Sequence, residues 1–254
     1  SISGNDIYRK FALKKLSSYG VKSNLYIDDS RPTTVKTRYK SNNQTVLRVS
    51  NLTQISIPKN IQNRIFKDIK KIISQSDLLV FSDFNYGCLP QTLVDKIINL
   101  CSSKKVLMVA DSQSSSQNGN ICRFKNMTLI TPTEREGRVA TRNQEDGLVI
   151  LAEELHQQSK AGNSILKLGQ EGIMINKKRV NPKDYHTDKI SALNSSARDV
   201  MGAGDSLLIS SAMTLAMRGN IWEAAIIGSI ASAIQVSKVG NIPLTANEIL
   251  KQIK

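Results

Sequence analysis

Most of the chemical information in this chain is concentrated in one stretch, Asp199-Val200-Met201-Gly202-Ala203-Gly204-Asp205-Ser206, which lies just ahead of a long helix-forming run. Small residues at 202–204 let a backbone approach a ligand closely. The first amides of a helix lack intrahelical partners, and the dipole there favours negative charge. Gly202, Ala203 and Gly204 can therefore cradle a phosphate. A carboxylate at 205 would repel that phosphate if anion binding were its whole task. It makes sense if Asp205 takes a proton from a hydroxyl that attacks phosphorus while the amides stabilise the transferring group. The plainer alternative is that Asp205 only complements the helix N-terminus, and an isolated Gly-x-Gly-Asp does not separate the two. The stretch is neither GxxxxGK[ST] nor GxGxxG. Metal chemistry through soft ligands is not indicated. Cys88, Cys101 and Cys122 are odd in number and lack CxxC spacing, and His156 and His186 are the two histidines. Reduced thiols are the expectation.

The elements that must position this stretch follow from apolar periodicity. Helices are expected over 5–19 (Ile7, Phe11, Leu13 and Leu16 near one face, Gly20 as C-cap), 59–75, 90–103, 143–160, 203–218, 221–238 and 245–253. The helices over 203–218 and 221–238, rich in Ala, Ser, Ile and Leu, read as well buried. Short apolar strands are expected over 24–27, 78–82, 105–110 and 127–131, with 164–168 and 172–175 as a hairpin about Gly169. Continuous apolar strands alternating with helices predict an α/β fold, a mostly parallel sheet with helices on both faces. The β-rich runs 33–40 and 44–49, joined at Asn42-Asn43, break this alternation. They form a hairpin that is either a sheet edge or a small separate lid.

Composition limits the remaining options. With 254 residues, 40% hydrophobic and 22% charged, the chain is an ordinary globular one, long enough for one large domain or two small ones. No apolar run of membrane-spanning length is present, and the N-terminus lacks the apolar segment of a secretory signal. A net charge of +14 favours anionic partners such as nucleotides and phosphorylated metabolites. The basic residues come in small groups, such as Lys70-Lys71 and Lys177-Lys178-Arg179, and aromatics are 5%, so nucleic-acid binding is not expected.

Further segments point the same way as 199–206. DVMGAGDS looks like the C-terminal signature of the PfkB/ribokinase family of carbohydrate kinases. In family order, SDFNYGCLP (82–90) resembles S-D-Y-x-K-G-x-L of the heptose-phosphate kinase branch, which serves ADP-heptose synthesis. VLMVADSQ (106–113) resembles a strand ending in Asp-Pro-Lys, and LITPTEREG (129–137) resembles T-P-N-x-x-E. LKLGQEGIMI (166–175) resembles the T-x-G-x-x-G nucleotide-side hairpin. RPTTVKTRY (31–39) and LRVSN (47–51) resemble the lid over the sugar. The resemblance implies a ribokinase-like fold with a β lid, in one kinase domain over 1–254. It also implies ATP- and Mg²⁺-dependent phosphorylation of a sugar or sugar phosphate in the cytoplasm. Asp205 matches the family's catalytic base, Gly202, Ala203 and Gly204 its anion hole, and Glu136 the carboxylate that organises Mg²⁺ through water. Lys167, Gly169 and Gly172 fall on the hairpin bordering the nucleotide. Lys36 and Arg38 fall on the lid strand, where a phosphorylated sugar could use cations; the alternative is that they are solvated strand residues.

The chain departs from the family pattern at Thr133 (family Asn), Tyr86 (Lys), Ser112-Gln113 (Pro-Lys) and Lys167 (Thr). Residues 1–20 resemble the helix that follows the family's opening strand and Gly-Gly-x-x-N segment, so an N-terminally shortened kinase domain is expected. A second copy or a partner segment would then cover an exposed sheet edge. The departures also define a second reading, a non-catalytic binding or regulatory domain of a larger surface-polysaccharide enzyme.

Overall fold

The computed structural model describes residues 1–41, 44–113, 119–177, 186–194 and 196–253. The Asn42-Asn43 turn, Lys178-Arg179 and part of the polar stretch 112–120 lie outside them. The chain divides into two compact units, residues 1–71 with 85–96, and residues 72–84 with 97–254.

The smaller unit opens with β1 (Ile2–Ser3), α1 (Ile7–Ser18) and β2 (Tyr26–Ile27), β1 and β2 pairing in parallel. β3 (Val35–Ser41) and β4 (Gln44–Asn51) form a separate antiparallel ribbon, so the hairpin is not an edge of the six-stranded sheet. α2 (Lys59–Ile72) follows, buried through Ile61 and Ile65. Helix α1 departs from expectation. Asp6 caps it, yet none of its residues is buried, and Ile7 and Phe11 are exposed.

In the larger unit β5 (Leu78–Asp83), α3 (Gln91–Lys104, of which 97–104 belong here), β6 (Leu107–Ser112) and β7 (Leu129–Ile130) come first. They are followed by α4 (Glu134–Thr141), α5 (Leu148–Ser159), β8 (Asn163–Lys167), β9 (Ile173–Lys177) and β10 (Thr187–Ile190). The unit closes with α6 (Ala203–Ala216), α7 (Ile221–Ser237) and α8 (Ala246–Ile253). The sheet order is β10-β9-β8-β7-β6-β5, with β5 to β8 parallel and β9 and β10 antiparallel.

Successive strand residues point to opposite faces, and β8 shows both faces covered. Ile165 joins Val109, Leu129, Ile175, Leu207 and Ala225 in the core under α6 and α7. Its neighbour Ser164 turns the other way and meets the imidazole of His156 on α5 at 3.2 Å. The architecture is the expected α/β one, a mostly parallel sheet with helices and a small antiparallel ribbon.

Among the strands and α-helices three were not expected. β1 has only two residues, α4 is short and poor in apolar residues, and β10 is a polar edge strand with Asp188 and Lys189 exposed. The outward side of α6 is also less buried than its composition suggested, with Ile209 and Met213 exposed, as is Met217 at its C-cap. Among the described residues no helix is long and apolar enough to cross a membrane.

Candidate active site

The turn before α6 is built by side chains from elsewhere in the chain. Asp199 accepts hydrogen bonds from the amides of Met201 (3.2 Å) and Gly240 (3.1 Å). Buried Gln235 donates to the carbonyls of Met201 (3.3 Å) and Gly240 (3.2 Å). These bonds hold the N-cap, Gly202, at φ +80°. Glycine alone adopts that geometry without strain, and a Cβ here would run into the Asn241 side chain. Gly202 offers no side chain to cap the helix; the Ala203 amide donates to the Val200 carbonyl at 3.4 Å, and the Gly204 and Asp205 amides keep their capacity for an external acceptor. Asp205 stands in that first turn and is exposed. A carboxylate sealed in the core would have excluded it as a base.

The carboxyl ends of the parallel strands supply the rest, as is usual for ligand sites in open α/β sheets. Asp111 is the penultimate residue of β6 and is buried, and Lys167 ends β8. Lys167 Nζ donates to both Asp111 carboxylate oxygens, at 3.0 and 3.1 Å. A Cβ placed on Gly204 would stand 3.3 Å from that nitrogen, so the ammonium lies against the start of α6. Thr133 bridges to Lys167 in parallel and caps α4. The Thr133 hydroxyl accepts from the Glu136 amide (3.2 Å), and Glu136 Oε2 accepts from the Thr133 amide (2.7 Å). Glu136, nearly buried, is thereby fixed in place.

Burial pushes the Asp111 carboxyl above the ordinary carboxylate range. Lys167 pulls it down, and the charges of Glu136 and Asp205 push it up again. Three carboxylates thus share one corner with one ammonium. Among the described residues no group of three His, Cys, Asp or Glu side chains is arranged to hold a metal ion directly. The surplus of negative charge nevertheless suits a divalent cation held through water.

Beside this corner lies a mainly apolar cavity of about 250 Å³, lined among others by Gly169, Ile173, Ala203, Leu207 and Val236. Its hairpin turn depends on Gly172 at φ +96°, where a Cβ would strike the Ile190 carbonyl. A polar recess lined by Thr133, Arg135, Arg138 and Gly169 adjoins it, and Lys167 lines both. Asp205, the glycines, Lys167 and Glu136 are therefore brought together in the larger unit.

Lys36 and Arg38 belong to the smaller unit, on β3. Arg38 pairs directly with Arg48 of β4, and Lys36 lies two residues along on the same face. Like charges directly opposite repel, so this face gains from an anion. Lys36 Nζ also sits 4.9 Å over the ring of Tyr86, the residue that departs from the family lysine. Arg48 was missed in the sequence, although its place between the apolar Leu47 and Val49 in an alternating strand was the available signal. A buried pair, Arg31 with Asp28 at 2.7 Å, was missed too. Arg31 donates onward to the carbonyls of Ile55 (2.7 Å) and Tyr86 (3.2 Å) and ties the 85–87 turn to the base of the β3–β4 ribbon.

Residues 1–247 match the pfkB family of carbohydrate kinases as one continuous stretch. The chain belongs to that family. It is 30% identical over 99% of its length to the bifunctional protein HldE of Helicobacter hepaticus, covering 51% of that protein. It is 27% identical to HldE of Sulfurimonas denitrificans, over 98% of this chain and 50% of the relative. It thus spans about half the length of these curated relatives. Among solved structures, ribokinase from Giardia lamblia superposes with a TM-score of 0.79 at 16% identity, over 99% of this chain and 82% of the other. Arabidopsis thaliana ribokinase complexed with ribose and ATP gives 0.75 at 15% identity, over 100% and 80%. At such identities the likeness speaks for the shared pfkB fold.

Proposed function

We propose that this pfkB-family chain transfers the terminal phosphoryl group of ATP to a hydroxyl of a sugar or sugar phosphate, of the heptose-7-phosphate kind. The observation that carries the reading is the exposed Asp205 carboxylate in the first turn of a helix whose N-cap, Gly202, has no side chain. Adenosine occupies the apolar cavity, and its phosphates run past Gly169 toward Gly204. The amides at the start of α6 take up charge that grows on the transferring group. Asp205 accepts the proton of the acceptor hydroxyl as the new O–P bond forms. The bond to the β-phosphate oxygen breaks, and ADP carries away the electron pair. Mg²⁺, held through water by Glu136, would neutralise phosphate charge in a reaction that consists mainly of positioning and electrostatics. Lys36, Arg38 and Arg48 bind the acceptor's own phosphate, Arg by bidentate contact.

Residues 1–254 are read as one kinase domain, because a single family match runs through both units. ATP as donor places the reaction in the cytoplasm, where a heptose phosphate would enter surface-polysaccharide precursor synthesis.

The test is phosphoryl transfer from ATP to a panel of sugars and sugar phosphates, with Asp205→Asn beside the wild type. The wild type is expected to turn over a phosphorylated sugar, and the variant to lose about 10²–10⁴-fold in kcat while still binding nucleotide. A variant at full rate removes Asp205 as base. A wild type inert on every acceptor removes the kinase reading.

A further inference from the structure

Transfer by Asp205 and the α6 amides leaves the ion pair of Lys167 and Asp111 without a task. We propose that Lys167 is a phosphate-contacting residue, its ammonium anchored by Asp111 and gripping the terminal phosphoryl group where α6 begins. This rests on the nucleotide reading of the same site.

The geometry points outward from the pair. An ammonium carries three donors, and the two Asp111 oxygens account for two of them. Among the described residues the third has no partner. The Lys167 side chain keeps 16% of its surface exposed while Asp111 keeps 4%, so a ligand reaches the cation and not the carboxylate. The nitrogen lies against Gly204, whose lack of a side chain leaves that approach open. It also lines both the apolar cavity and the polar recess, the position a chain of phosphates must pass. The backbone holds the stem in register, since the Lys167 amide donates to the Pro132 carbonyl at 2.9 Å. A buried ion pair is poor value as a stability device. Here it serves to fix a flexible cation, with Asp111 as the positioning residue and Lys167 as the group that touches substrate.

The experiment is calorimetric binding of adenosine and of Mg²⁺ with the non-hydrolysable analogue AMP-PNP to wild type, Lys167→Met and Lys167→Arg. Methionine keeps the apolar stem and removes the charge. Wild type is expected to bind both ligands. K167M is expected to bind adenosine within about twofold of wild type and AMP-PNP at least about tenfold more weakly, the loss of one charge-assisted contact. K167R is expected to recover part of that loss. If the unpaired Asp111 prevents K167M from folding, the double variant Asp111→Asn with Lys167→Met carries no charge at the pair and takes its place. Equal losses for adenosine and AMP-PNP, or no loss for AMP-PNP, overturn the assignment while leaving the nucleotide site standing. A wild type that binds neither ligand overturns both.

Discussion

At Gly202 a single backbone angle decides whether the phosphate end of the site exists. Any other residue at φ +80° pays for left-handed backbone, about 1–2 kcal/mol, and here also displaces the Asn241 side chain. Gly202→Ala is therefore expected to lower stability by at least about 1 kcal/mol, seen in a denaturant titration. It should also cut kcat more than it raises KM for ATP, because the misplaced amides serve mainly the transition state. The glycine and Asp205 were legible in the sequence, since a helix start advertises itself locally. The partner of Lys167 was not. Asp111 lies 56 residues away and meets it only through the register of parallel strands, which no local pattern encodes. The Arg38 and Arg48 pair lies between these cases, readable once the hairpin register is known.

Among the elements, the long helices and buried strands announced themselves through apolar period, and the structure moved their ends by a few residues. α4 escaped because eight residues containing Gly137 and few apolar side chains show no helical stripe. Its signal was the capping box of Thr133 and Glu136, which the sequence offered in another role. β10 escaped because an edge strand is polar by design. The smaller unit depends on the strap from Asp28 to Arg31, and that strap gives a pH signature. Burial works to raise the Asp28 carboxyl, but the Ser30 hydroxyl and amide together with Arg31 outweigh it and hold the group below its ordinary value. A depressed folded value means that the contribution is present above the unfolded carboxylate value of about 3.9. It is lost as pH falls through the lower folded one. Urea midpoints measured from about pH 5 down to about pH 2 are expected to fall for wild type and to fall less steeply for Asp28→Asn. Parallel acid limbs in the two proteins would show that the strap carries no such linkage.

On the scale of the whole molecule, a chain of net charge +14 gathers three carboxylates at one corner. The general basicity draws polyanionic substrates, while the local acidity asks for a cation beside them. That contrast is the electrostatic arrangement phosphoryl transfer needs, and the composition alone conveyed only its first half. The most direct measurement is a crystal structure of the protein with Mg²⁺ and AMP-PNP. The expected result is a terminal phosphoryl group within hydrogen-bond distance of the Gly204 and Asp205 amides, with the Asp205 carboxylate turned to open space where an alcohol would stand. A nucleotide bound away from α6, or phosphates directed away from Gly204, would contradict the assignment.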